Sequence, residues 1–203
     1  MNNNFIKNLS DSTYDTKRLV LPKIKELGWL KGKFTQIEIT TDKDFKKLAH
    51  DFDSLSGIDI WQVENKKGIT GIANRVQWTD ENWASFTIRA KIKSGHDTEY
   101  QKRIKALKSN GKYIYPYITI QSYIEKPRRQ GKLISMGMGF TEDIIKMIDE
   151  GKYEIRINPT DETEFYIVFW KAMKECSFKV IIWINDEKIK KDRMIKRGQL
   201  SLF

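Results

Sequence analysis

The chain has one cysteine, Cys176, two histidines, His50 and His96, and four prolines in 203 residues. A single cysteine excludes an internal disulfide framework, and two histidines cannot build a Cys/His zinc site, so any metal is expected on oxygen ligands. No apolar run approaches the roughly 18 to 20 residues that span a bilayer. The start MNNNFIKNLSDS lacks the cationic and apolar regions of a secretory signal, so a cytoplasmic location with no membrane partner is expected. There is no repeat and no low-complexity segment. Gly68-Ile69-Thr70-Gly71 is too short for a phosphate loop, and His96 beside Asp97 lacks a nucleophile and reads as a helix start. Cys176 lies in an apolar stretch and reads as inert.

What is present is a core and a concentration of charge. With 39% hydrophobic and 12% aromatic residues the chain can bury a single domain, assigned to 1–186, followed by a basic linker and tail over 187–203. The formal net charge is +10, and nearly all of it falls between Arg89 and Lys132, where twelve cations face three acids. Such a concentration attracts a polyanion through phosphate contacts and counterion release, which makes DNA the expected partner. Arg89, Lys93, Lys102, Arg103, Arg128 and Arg129 are the candidate DNA contacts, and Tyr113, Tyr115, Tyr117 and Tyr123 are interleaved as candidate stacking surfaces. The bland alternative is a solvated basic face with the tyrosines in the core.

The apolar periodicity predicts a mixed α/β domain. DSTYDTKRLVLPKIKELGW reads as a helix from Asp11, kinked at Pro22 and stopped by Gly28, and DKDFKKLAHDFD as a second short helix. GIDIWQVEN, GITGIANRVQW and WASFTIRAKIK read as three successive strands of a meander. HDTEYQKRIKALKSNG is a predicted helix. YIYPYITIQSYI and KLISMGMGF are strands around the basic turn EKPRRQGK, and TEDIIKMIDEGK is a helix with Thr141 as its cap. EFYIVFWKAM, a strand running into a helical turn, and FKVIIWIND close the domain, and the tryptophans read as core.

The chain ends in Gln199-Leu200-Ser201-Leu202-Phe203. This pentapeptide resembles the motif by which bacterial polymerases and repair proteins dock on the β sliding clamp. The resemblance implies Leu202 and Phe203 in an apolar pocket, Leu200 on its shoulder and the Gln199 amide at the rim. Separately, TKRLVLPKIKELGW followed by SGIDIW resembles the start of the PD-(D/E)XK nuclease fold of restriction-type enzymes, over about residues 15 to 93. That resemblance implies a central mixed sheet flanked by helices and a divalent metal, Mg²⁺ or Mn²⁺. It implies Asp59 and Gln77 as metal ligands, with Asp59, Gln77 and Lys91 as the catalytic set. The fit is incomplete: Gln77-Trp78-Thr79 has no lysine and Arg89-Ala90-Lys91 has no acid, with Glu38, Asp51 and Asp53 the nearest further acids.

Two functions follow. One is a DNA-processing nuclease or nuclease relative recruited to the clamp during replication or repair. The other is a non-catalytic protein, of the kind a phage or plasmid makes, that occupies the host clamp or another replication partner; the Lys- and Asn-rich composition is compatible with an AT-rich mobile element. Convergence of Asp59 with another acid, Gln77 and a lysine favours the first, and dispersal favours the second.

Overall fold

A computed structural model describes residues 3–36, 57–64, 68–93, 95, 97–109 and 115–185. Among them, β1 (Lys33–Gln36), β2 (Ile60–Glu64), β3 (Gly68–Trp78), β5 (Ile118–Ile124), β6 (Leu133–Phe140) and β9 (Val180–Ile184) form one sheet in the order β1-β2-β3-β5-β6-β9. β4 (Ser85–Lys91), β8 (Glu164–Phe169) and β7 (Glu154–Ile157) form a second, in the order β4-β8-β7. The large sheet is mixed: β3 and β5 run parallel and the other pairs antiparallel. This is the mixed α/β class that the periodicity predicts, with a central mixed sheet flanked by helices.

The reason β5 lies at the centre is written in its composition. All seven residues of ITIQSYI are buried, so both faces need cover, as expected of a strand enclosed on two sides. Ile118, Ile120 and Ile124 join Val20, Ile24, Ile72 and Met136 in one apolar cluster, under the N-terminal helical segment. Tyr123 joins a different cluster with Phe86, Ile88, Ile144, Ile148 and Trp170, which unites the small sheet with α3 (Glu99–Leu107), α4 (Thr141–Asp149) and α5 (Trp170–Glu175). Gly137 makes this second packing possible: a Cβ there would stand 2.3 Å from Cε2 of Trp170, so only glycine lets the indole lie on the sheet.

The N-terminal segment is longer than expected. α1 (Asn3–Asp15) begins before Asp11 and passes through a π-helical turn (Thr16–Val20) into α2 (Leu21–Glu26). Pro22 therefore stands at the start of α2, directly after the π-helical turn, and the helical path continues through it. Gly28, at φ +61°, ends the segment, with the Trp29 N–H closing on the Ile24 carbonyl at 3.2 Å.

Two further readings are corrected. The expected meander is broken: β2 and β3 pair, but β4 leaves for the small sheet, because the second edge of β3 is taken by β5. Thr141 is not a cap; Phe140 holds that position and the Thr141 hydroxyl lies 2.9 Å from that of Thr119. β1 and β7, each only four residues, are strands that the sequence pattern does not announce. The helix expected at 42–53 and the tail at 187–203 lie outside the described residues.

Candidate nucleic-acid interface

The basic segment does not form one surface. Ser85 meets Tyr123 and Thr87 meets Gln121, so β4 runs counter to β5 and carries Arg89, Lys91 and Lys93 away from the β5–β6 turn. At about 3.3 Å per residue, the two cationic groups stand roughly 20 to 30 Å apart.

The turn end is built from the bottom up by two helical aspartates. Asp11 and Asp15 are one helical turn apart on α1 and therefore share a face. Asp15 is completely buried. Its Oδ1 accepts from Arg18 Nη2 at 2.8 Å, and its Oδ2 accepts from Trp78 Nε1 at 2.8 Å and from the Arg129 backbone N–H at 3.1 Å. Arg18 also donates to the Gly131 carbonyl at 2.7 Å. One carboxylate thus ties the end of β3 and the turn to the helix, and burial is tolerated because its oxygens are bonded and its charge is matched. The turn closes with Glu125 N–H donating to the Lys132 carbonyl at 2.9 Å, and a Cβ at Gly131 would collide with the Glu125 carbonyl oxygen at 1.7 Å.

The turn's two arginines are thereby spread over aromatic rings. Arg128 lies 4.3 Å from the centre of the Trp78 ring, within 3.6 Å of Asp11, and donates to Asn8. Arg129, at φ +64°, lies 5.2 Å from the Tyr14 ring and donates from Nε to Asp11 at 2.5 Å and from Nη2 to Ser10 at 2.7 Å. Lys7, Asp11, Pro127, Arg128 and Arg129 line an open groove of about 650 Å³. A second hollow of about 500 Å³ includes Arg18, Lys23 and Lys132, with the Lys23 ammonium 4.6 Å from the Trp183 ring. Lys126 and Lys132 are exposed beside them. Guanidinium on indole or phenol is a flat, weakly hydrated cationic surface, suited both to phosphate and to a stacked base.

The opposite end is cationic in sequence and largely neutralised in space. Glu99, on α3, accepts from Arg103 at 2.5 Å, from Arg75 at 3.2 Å and from the Arg89 backbone N–H at 3.2 Å. Burial pushes the Glu99 carboxyl up, but Arg103 and Arg75 outweigh it and hold the group below the usual carboxylate range. Burial likewise draws the Arg75 guanidinium down, opposed by Glu99. Arg103 is only 1% exposed and has two donor atoms, Nε and Nη1, without a partner, so its assignment as a DNA contact is corrected: its charge faces the interior. Lys91 pairs with Glu164 at 3.1 Å, Lys93 with Glu162 at 3.0 Å and Lys105 with Asp97 at 2.5 Å. Lys102 is half-buried on α3, and the Arg89 side chain is exposed.

Asp59, Gln77 and Lys91 are not brought together. The Asp59 N–H donates to the Ile72 carbonyl, which sets Asp59 beside Ala73, and its carboxylate accepts from the Asn74 N–H at 2.5 Å. Gln77 lies four positions further along β3, roughly 13 Å from that pairing. Lys91 belongs to the other sheet and points to Glu164. Among the described residues no three His, Cys, Asp or Glu side chains gather into a metal site. The residues expected to hold Mg²⁺ or Mn²⁺ therefore do not fit it as a set, since a hard cation needs several oxygens within about 2.0 to 2.6 Å. Glu38, Asp51 and Asp53 lie outside the described residues.

The stacking candidates are redistributed as well. Tyr123 is fully buried and donates to the Ser85 carbonyl at 2.9 Å, which makes it core. Tyr117 is exposed but packs on Phe140, Tyr115 is half-buried, and Tyr113 lies outside the described residues. The rings that meet the turn's arginines are Tyr14 and Trp78, which the sequence reading did not single out. The available signal was the Asp11, Tyr14, Asp15, Arg18 spacing, which places acid, ring and cation on one helical face. Residues 199–203, the clamp-binding candidates, lie outside the described residues. Comparison of this chain with family models, with curated proteins and with solved structures finds no match.

Proposed function

We propose that this protein binds DNA without cutting it, through the face where the 125–132 turn meets α1, and is held at replicating DNA by Gln199–Phe203 on the bacterial β sliding clamp. The observation that carries the reading is the pair of arginines laid over Trp78 and Tyr14 at the rim of a groove that Lys7 also lines. Phosphates meet Lys7, Lys126, Lys132 and the outer edges of Arg128 and Arg129, and release their counterions on contact. The guanidinium planes laid over these rings add a flat surface for an unpaired base. The separation of Asp59 from Gln77 favours binding over hydrolysis. A clamp-bound tail raises the local concentration of the DNA-binding face, so that two contacts of modest strength suffice.

The test is a fluorescence-anisotropy titration on single- and double-stranded DNA across a salt series. Affinity is expected to fall steeply with salt, and Lys126→Glu with Lys132→Glu, which leaves the Asp11 and Asp15 bonds in place, is expected to weaken it about tenfold or more, each lost phosphate contact also reducing the salt slope by about one. Salt-independent affinity, or no effect of the double substitution, would remove this face from the reading. Cleavage of any DNA form with Mg²⁺ or Mn²⁺ that disappears in Asp59→Asn would replace binding by catalysis. For the tail, calorimetry with a β clamp is expected to give a dissociation constant on the order of micromolar, lost in Leu202→Ala with Phe203→Ala.

A further inference from the structure

We propose that β7 is a self-pairing edge, through which two copies of this chain join their three-stranded sheets into one of six strands. β7 pairs with β8 on one side, and among the described residues no strand pairs with its other side. Its sequence is Glu154-Ile155-Arg156-Ile157, and the isoleucine side chains are 55% and 59% exposed. This edge carries no proline, no bulge and no charge pointing inward, and its two charged residues, Glu154 and Arg156, are of opposite sign.

The backbone and the charges select the partner. Asn158 N–H donates to the Thr163 carbonyl at 2.9 Å, across the continuation of the β7–β8 pairing. Antiparallel alternation then turns the polar groups of Glu154 and Arg156 toward β8 and those of Tyr153, Ile155 and Ile157 toward the open edge. A twofold axis at Ile155 pairs it with Ile155 of the second copy, both N–H groups donating to both carbonyls, and pairs Ile157 with Tyr153 on either side. The same register sets each Glu154 opposite Arg156 of the other copy, on one face. Moving the axis to Arg156 would oppose arginine to arginine, and like charges directly opposite are destabilising. Of these two registers the one at Ile155 makes the edge complementary to itself, which identifies a second copy of this chain as the occupant.

The test is sedimentation equilibrium with the full chain between roughly 1 μM and 1 mM, the range in which so short an edge associates. The wild type is expected to pass from the mass of one chain to that of two. Glu154→Arg and Arg156→Glu are each expected to remain at one chain through the range, because each creates like-charge pairs across the axis. An equimolar mixture of the two restores opposite-charge pairs and is expected to regain the mass of two chains. Because Arg156 also lies 4.2 Å from the Trp83 ring, Ile155→Lys, which leaves that contact intact, serves as a second monomeric variant if Arg156→Glu fails to fold. A wild type that stays at one chain at 1 mM, single variants that associate like the wild type, or a mixture that stays monomeric would each overturn the proposal, the second by locating association elsewhere.

Discussion

Asp15 and Glu99 are two carboxylates that anchor the two ends of the same basic segment, and they do so in opposite ways. Asp15 is fully buried and engages one guanidinium, Arg18, filling its remaining capacity with an indole and a backbone N–H. Arg128 and Arg129 are thus left to Asp11 and the aromatic rings, on the outside. Glu99 engages two guanidinium groups and draws Arg103 into the interior with it. A carboxylate satisfied by neutral donors leaves cations available to a ligand, whereas one satisfied by cations uses them. Formal charge in the sequence is positive at both ends, but the charge available to a polyanion differs.

The largest loss of stability is expected at Asp15. Asp15→Ala leaves Arg18 without its carboxylate and the Trp78 and Arg129 N–H groups without an acceptor, and is expected to cost about 3 to 5 kcal/mol, read as a lower denaturant midpoint. Glu99→Ala is expected to cost almost as much, about 3 kcal/mol, because Arg103 is left buried without its carboxylate while the Arg75 side chain retains access to water. A loss below about 1 kcal/mol at either site would show that its carboxylate does not anchor that end.

Acidification sharpens the contrast at Glu99. Its folded-state pKa is depressed below the ordinary value of 4.5. Its contribution is therefore complete above that value and lost as pH falls below it toward the folded-state pKa. Thermal melts of Glu99→Gln are expected to start from a lower stability at neutral pH and to decline less between pH 5 and pH 3 than those of the wild type.

The next effect is on the small sheet that Glu99 helps to hold. Gly137→Ala forces a Cβ into the Trp170 indole and is expected to cost about 1 to 3 kcal/mol, with a shift in tryptophan fluorescence, while DNA affinity stays within about twofold. The smallest effect is expected from Lys91→Glu with Lys93→Glu. Both side chains are exposed and paired with Glu164 and Glu162, so stability should change by about 0.5 kcal/mol or less for each pair and DNA affinity by less than about threefold. A tenfold loss of affinity there would restore the whole segment as one interface.

Much of the fold is legible in the sequence. The alternation of KLISMGMGF, the uninterrupted apolarity of YITIQSYI and the helical spacing of TEDIIKMID announce β6, β5 and α4 without their surroundings. The parting of β3 and β4 is not legible, because WASFTIRAKIK satisfies strand periodicity equally well in either sheet. Its destination depends on which strand takes the free edge of β3, a long-range choice made by β5. The candidate site divides the same way. Composition marks the 125–132 turn as basic, but the rings that meet its arginines come from Tyr14 and Trp78, more than forty positions away.

The class, the core-forming segments and the amount of charge can be read from the residues alone, because burial and net charge follow from residue types and their period. Which cations remain free is set by the folded chain. It depends on which acid each one meets, and Arg128 and Arg129 meet Asp11, and Arg75 meets Glu99, across contacts that helix packing and strand pairing create.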